Sequence, residues 1–235
     1  MSKTVAMVQS NYIPWKGYFD MINMADLFVF YDDVAFTKDD WRNRNRIKTK
    51  DGLQWLTVPC GPPHGRLICE VEIRDDGWQR KHWSRIHHAY SRARHYDEYR
   101  ERFEERYIER QWMTLSELNQ DLIKWIARGL LGISTEFGDS RDYSIAPDRT
   151  RESRWIEILQ RIGTDRFIIG PSARNYLDPR KEAEVARAGI ELVWMDYSNY
   201  PEYGQLFPPF AHEVSIIDLI FNEGPDAPRY MKSFG

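Results

Sequence analysis

The sequence predicts an α/β fold: a mixed, mainly parallel sheet with a β-hairpin and an inserted helical portion. Three observations carry this. Strand-length apolar segments near both ends of the chain alternate with stretches of helical period, the pattern of βαβ units. The dipeptide Asp51-Gly52 sits between two strand-like segments, as in a tight hairpin. Long charge-rich stretches of helical period fill the middle. The chain is read as one α/β domain over residues 1–235, with a helical insertion at about 77–131.

Thr4 to Gln9 reads as a buried strand, broken by Ser10-Asn11-Tyr12-Ile13-Pro14-Trp15. From Trp15 the apolar residues Tyr18, Phe19, Ile22 and Ala25 recur at helical spacing, and Leu27 to Tyr31 follows as a strand, closing a βαβ unit with parallel strands. Arg46 to Lys50 and Leu53 to Pro59 are the hairpin arms. Gly61-Pro62-Pro63-His64-Gly65 is a loop, and Ile68 to Ile73 alternates like a further strand, which predicts a mixed sheet. Trp78–Arg94, Tyr96–Arg110 and Leu115–Leu131 form the helical portion, and residues 132–149 lose the period and read as a connector. Arg151 to Ile162 is an amphipathic helix ended by Gly163. Phe167 to Ile169 is a strand running into Gly170-Pro171-Ser172-Ala173. Lys181–Ala188 is a helix with Gly189 behind it, Ile190–Met195 a strand, and Val214–Asn222 the last helix.

Composition narrows the function. The chain has 235 residues, 42% of them hydrophobic and 29% charged, with 33 Lys+Arg against 36 Asp+Glu. A net charge of -3 offers no basic footprint, so nucleic acid is not an expected partner. No apolar run reaches the roughly 18 residues that span a bilayer, and the first residues lack a signal-peptide core, which predicts a cytoplasmic protein without a transmembrane segment. Cys60 and Cys69 have no zinc spacing and are expected as reduced thiols. Aromatic residues make up 14%, including 9 Trp, and many lie beside Asn, Asp and Arg, as in a polar-ligand pocket with stacking walls.

In open α/β sheets ligands bind beyond the carboxyl ends of the strands, which points to the segments after Gln9, Asp32 and Gly170. Gln9, Asn11, Tyr12 and Trp15 cluster at a helix entrance, where backbone N–H groups favour an anion; a Pro-containing turn is the structural alternative. Asp32 and Asp33 invite a divalent metal, yet neighbours on a strand point to opposite faces. In Trp41-Arg42-Asn43-Arg44-Asn45-Arg46 an extended backbone puts the arginines on one side, for phosphate or carboxylate. Asn43 and Asn45 then lie on the other, for sugar hydroxyls or a base; a solvated edge strand is the alternative. Trp78, Lys81, His82 and Arg85 share one helix face. His82, flanked by cations, is pushed toward its neutral, proton-accepting form and is a candidate general base, against the alternative of a packing histidine. Ser172 is a binder rather than a nucleophile, lacking the second glycine of a nucleophile elbow. Cys60 is a candidate acyl acceptor. Asn222 and Glu223 line the pocket if the last helix ends at the sheet top.

The loop and strand around Pro14-Trp15-Lys16-Gly17-Tyr18 resemble those of nucleotidyltransferases that carry histidines there, which this chain lacks. Nearly end to end, the chain resembles the WbqC-like protein family, bacterial proteins often encoded among enzymes of O-antigen, lipopolysaccharide and other surface-polysaccharide assembly. The resemblance rests on Gln9 to Phe19, Asp32-Asp33-Val34, Trp41 to Ile47, Leu56-Thr57-Val58-Pro59, Trp78 with Lys81-His82, Tyr176-Leu177 and Ser215 to Pro225. The family often has His before the first Gln and Pro after it; Val8 and Ser10 stand here.

The resemblance implies a pathway, within which the residues fit three readings. The first is transfer of an acyl or aminoacyl group from an activated donor to the amine of a nucleotide-linked amino sugar, with His82 or Asp33 taking the amine proton and Arg44 holding phosphate. It needs no metal or other cofactor. The second is a glycosyltransferase with Asp32 and Asp33 on a divalent metal and Trp41 or Trp15 stacking on the base. The third is a non-catalytic nucleotide-sugar-binding protein. Acyl transfer is preferred because no Asp-X-Asp triplet is present. Lys81, Ser172 and Tyr176 complete the expected substrate contacts, and a homo-oligomer is compatible with the sequence.

Overall fold

The computed structural model describes residues 2–61, 65–74, 76–143, 145 and 151–234, the side chains of 151 and 152 excepted. Residues 62–64 of the expected loop, and 144 and 146–149 of the expected connector, lie outside it.

Five short strands form one sheet: β1 (Thr4–Val8), β2 (Leu27–Phe30), β5 (Glu136–Asp139), β6 (Arg166–Ile169) and β7 (Glu191–Trp194). Their order is β5-β2-β1-β6-β7, and every neighbouring pair is parallel. Helix α1 (Lys16–Asn23) crosses from β1 to β2, and α6 (Pro179–Arg187) from β6 to β7. Successive side chains of a strand face opposite ways, and the core divides accordingly. Ala6, Phe28, Phe30 and Ile168 pack with α1, α2 (Trp78–Tyr90), α3 (Tyr96–Glu109), α4 (Leu115–Gly129) and α7 (Ile216–Glu223). Val5, Met7, Leu27, Val29, Phe167 and Ile169 pack with Trp155, Ile158 and Leu159 of α5 (Arg151–Ile162) and Val185 of α6. Both faces are covered, which explains why β1, β2 and β6 read as nearly continuous apolar runs.

The hairpin, β3 (Arg44–Thr49) and β4 (Gly52–Thr57), turns at Asp51-Gly52, where Gly52 has φ 103. It forms its own two-stranded sheet. Ile47 and Leu56 anchor it in the core on the helical side, and the backbone N–H of Lys48 donates to the Tyr90 hydroxyl at 3.0 Å. The mixed pairing predicted for one sheet therefore resolves into a parallel sheet with an antiparallel ribbon apart from it.

Two local expectations change. Residues 68–73 contain a 3-10 turn at Ile68–Glu70 rather than a strand, since Ile68 and Cys69 donate to the carbonyls of Val34 and Asp32 and only isolated bridges flank them. The expected connector contains β5, an edge strand whose single large apolar residue, Phe137, stacks on Phe30 at 5.6 Å. Helix starts follow their caps: Thr114 and Glu117 form a capping box at α4, and Asp178 precedes Pro179 at α6. Among the described residues no helix is long and apolar enough to cross a membrane.

Candidate functional site

The strand order reverses at β1, which has β2 on one side and β6 on the other. The loops leaving β1 and β6 therefore part, opening a crevice where such sheets bind ligands. The loop after β1 is tightly held. Ile13 has φ 35, a left-handed conformation that a β-branched side chain resists at a cost of about 1–3 kcal/mol. Asn45 fixes it by donating to the carbonyls of Tyr12 at 3.0 Å and Ile13 at 2.8 Å. Asn119 donates to the carbonyls of Ser10 and Arg42, tying the loop to the approach to β3. Ser10, Tyr12 and Ile13 are buried as a result, and Asn11 and Trp15 are left facing the crevice.

The crevice has two connected compartments. The outer one, about 510 Å³, has aromatic walls from Trp15, Trp41, Tyr197 and Tyr200. The inner one, about 300 Å³, reaches the strand ends at Val8, Gln9 and Ile169, with Tyr31, Arg42 and Tyr176 around it. Asn11, Trp15, Trp41, Ser172 and Tyr197 border both. Trp15 stands edge-on to Tyr197 at 5.1 Å and tilted on Tyr200 at 5.5 Å. A Cβ on Gly17 would come within 2.4 Å of the Trp15 ring, so glycine there is what lets the indole lie against the helix start. Burial pushes the Tyr197 hydroxyl up to about 12, with Asp20 adding to it, so the wall is uncharged at neutral pH.

Asp196 to Ser215, a segment with neither helix nor strand, closes one side. Two buried lysines fasten it. Lys16 donates to the Pro201 carbonyl at 2.8 Å with the rings of Tyr200 and Tyr203 each 5.1 Å away, and burial lowers its pKa to about 8 against the opposing pull of Asp20 and Asp218. Lys48 donates to the Pro209 carbonyl and to Gln205. Buried Asp218 accepts from Tyr90 at 2.9 Å, Tyr203 at 2.7 Å and Gln205 at 3.0 Å, and burial raises its pKa. The segment delivers His212 and Glu213 to the outer compartment.

Of the residues singled out from the sequence, Gln9, Asn11, Trp15, Trp41, Arg42, Asn45, Ser172 and Tyr176 border the crevice. The others stand elsewhere. His82 is 2% exposed: one ring nitrogen lies 2.8 Å from the Tyr12 hydroxyl and the other 3.2 Å from the Thr57 carbonyl. The carbonyl can only accept, so Nε2 carries the proton, Nδ1 accepts from Tyr12, and Tyr12 accepts from Tyr107 at 2.7 Å. Burial drives the His82 pKa down to about 3, with Arg85 contributing. The expected neutral form is present for this reason, within a packed core. Tyr12 belongs to that core.

The two aspartates diverge. Asp32 accepts from the Ser10 backbone at 2.8 Å, Ser116 at 2.5 Å and Gln120 at 3.2 Å, while Asp33 accepts from Ser140 at 2.5 Å and pairs with Arg154. No group of three or more His, Cys, Asp or Glu that could hold a metal occurs among the described residues. The alternation of β3 and its approach holds: Asn43 and Asn45 turn inward, and Asn43 donates to the Val58 carbonyl at 3.2 Å. Outward, Arg44 lies over the Trp55 ring at 4.3 Å. Lys81 donates to the Asp76 carbonyl on the surface, Asn222 to the Asp218 carbonyl, and Glu223 accepts from the Gly204 backbone. Burial pushes the Cys60 thiol up to about 12, which removes it as a neutral-pH nucleophile.

Sequence reasoning overlooked Tyr197, Asn199, Tyr200, His212 and Glu213. Asp196-Tyr197-Ser198-Asn199-Tyr200-Pro201 after a strand is the signal that would have found the first three, since long irregular segments behind sheet strands are commonly functional. His212 and Glu213 are brought there by contacts distant in sequence, the buried lysine tethers together with the Ser215 backbone donating to the Arg46 carbonyl at 2.8 Å.

A sequence model of the WbqC-like protein family matches residues 9–230. The chain is similar to the uncharacterized protein Rv1507c of Mycobacterium tuberculosis (strain ATCC 25618 / H37Rv), 44% identical over 233 residues that cover 98% of each chain. No solved structure matches.

Proposed function

Because the chain belongs to the WbqC-like protein family, we propose that it is a transferase of surface-polysaccharide or related biosynthesis whose substrate is a nucleotide-linked amino sugar. The observation that carries this reading is the aromatic crevice at the point where the strand order reverses. Its tryptophan and tyrosine walls suit stacking on a base and a sugar ring, and Asn11 and Ser172 at the border of the two compartments suit hydroxyl contacts. Two compartments suit two reactants, and holding both in one crevice supplies the proximity that a transfer reaction requires.

The transferred group is acyl or aminoacyl. The sugar amine adds to the donor carbonyl, the C–N bond forms, the amine proton passes to a base, and the carrier departs with its bonding electrons. His212 replaces His82 in this scheme because its ring borders the outer compartment, 4.6 Å from Phe210, whereas His82 is enclosed. The separate engagements of Asp32 and Asp33 favour this chemistry over glycosyl transfer through a metal held by both.

A thermal-shift comparison of nucleotide-linked amino sugars and acyl thioesters, each with and without Mn²⁺, tests the reading. Saturation at about a hundred times Kd stabilises the fold by about 2.7 kcal/mol. The expected result is stabilisation by an amino-sugar nucleotide without metal, lost in Trp15→Ala. Stabilisation only with Mn²⁺ transfers the proposal to glycosyl transfer, and a silent screen overturns the nucleotide-sugar reading.

A further inference from the structure

Beside the outer compartment, the outward face of the hairpin carries a ladder of alternating cations and indoles. Arg44 lies over Trp55 at 4.3 Å, and Arg46 lies between Trp55 at 5.3 Å and Trp41 at 5.4 Å. Both guanidiniums lie against indole rings, and among the described residues their buried Nε atoms have no hydrogen-bond partner, which leaves the terminal nitrogens as the working donors. One place on the ladder already holds an anion. Glu213 reaches Arg46 at 2.5 Å, although its own side chain is 76% exposed and it sits on the irregular segment. An ion pair with one partner so open to water contributes little to stability and is readily exchanged. Among the described residues the neighbouring Arg44 has one acidic partner, Asp39 at 4.0 Å, itself 55% exposed. Trp41 and Glu213 both border the outer compartment, so the ladder continues the crevice.

We propose that Arg44 and Arg46, held rigid by Trp55 and Trp41, form a diphosphate clamp, and that Glu213 is a built-in occupant displaced when the diphosphate arrives. The proposal deepens the reading above, since the diphosphate of an amino-sugar nucleotide would lie outside the aromatic walls with its sugar inside them. Two guanidiniums presenting paired donors match the spread charge of a diphosphate better than a single phosphate. Release of Glu213 frees its carboxylate beside His212.

Inorganic pyrophosphate is the probe, with binding followed by calorimetry and tryptophan fluorescence. Arg44→Gln and Arg46→Gln are each expected to weaken it by about tenfold, the worth of one charge-assisted contact, and Glu213→Gln to strengthen it several-fold by vacating the seat. Equal binding by wild type and Arg44→Gln, or weaker binding by Glu213→Gln, would overturn the clamp; these two surface variants decide the matter even if Arg46→Gln fails to fold. Uridine diphosphate and a prenyl diphosphate, compared with pyrophosphate, assign the diphosphate to a nucleotide or a lipid carrier by which binds more tightly. An amino-sugar nucleotide measured in parallel separates the two proposals. If it binds and pyrophosphate does not, the clamp alone fails, and if pyrophosphate binds and no sugar nucleotide does, the substrate reading alone fails.

Discussion

His82 makes the chain sensitive to acid in a way that can be worked out from its surroundings. The folded ring stays neutral down to about 3, because burial and Arg85 disfavour its charged form, whereas the ring in the unfolded chain takes up a proton near 6.5. Between those values the unfolded chain binds more protons than the folded one, so stability is full above 6.5 and falls as the pH drops. From about pH 7.5 to about pH 5 the difference in bound protons grows from about a tenth to nearly one, which integrates to a loss of roughly 2 kcal/mol. That figure depends on the unfolded value alone, since the folded ring is still neutral at pH 5. His82→Gln keeps a donor for the Thr57 carbonyl and an acceptor for Tyr12 and removes the titration. The assay is urea unfolding of both proteins across this range. Wild type is expected to lose roughly 2 kcal/mol more than the variant, other titrations being common to both. Parallel pH profiles would refute a buried, neutral His82.

Further predictions concern the crevice and its supports. Gly17→Ala drives a methyl into the Trp15 ring and is expected to shift tryptophan emission and weaken any crevice ligand by at least about tenfold, with the far-ultraviolet circular dichroism unchanged. Asn45→Ala removes both amide donations to the Tyr12 and Ile13 carbonyls and is expected to cost about 2–3 kcal/mol by chemical denaturation. Arg154→Met strands Asp33 and is expected to cost about 3 kcal/mol, most of it recovered in the Arg154→Met/Asp33→Asn double variant, as a double-mutant cycle would report. Cys60→Ser is expected to leave ligand binding intact, and Cys60 to resist iodoacetamide at neutral pH in the folded protein.

What could be read from the sequence follows the range of the forces involved. The βαβ unit from Thr4 to Phe30 was legible because its apolar period and turn chemistry are local, and the hairpin because Gly52 supplies the positive φ that its turn needs. The crevice was legible at Asn11, Trp15, Trp41 and Ser172 because they follow strands or lie beside a strand. Two kinds of residue escaped. β5 has too few apolar side chains to announce itself and exists because β2 offers it a parallel edge. His82 looked like a base because its neighbours in sequence are cations, but the groups that decide its chemistry, Tyr12 and Thr57, come from distant parts of the chain. Asn43 and Asn45 alternate with the arginines as expected, yet their amides serve backbone carbonyls, a use that residue type and spacing do not distinguish from ligand binding.

The order of strands also bears on how the molecule is assembled. β1 finds β2 across a short connection, Val5 opposite Leu27, but its pairing with β6, Thr4 to Ala6 opposite Arg166 to Ile168, closes a far longer loop. Closing the longer loop costs about 2 kcal/mol more chain entropy, and folding tends to defer such contacts. The crevice lies along that late seam, between the loops that leave β1 and β6. A ligand spanning the seam then acts as a staple between early and late parts of the chain, and the added protection it gives against amide exchange is expected to be largest in β6 and β7, a pattern that exchange measured with and without ligand would check.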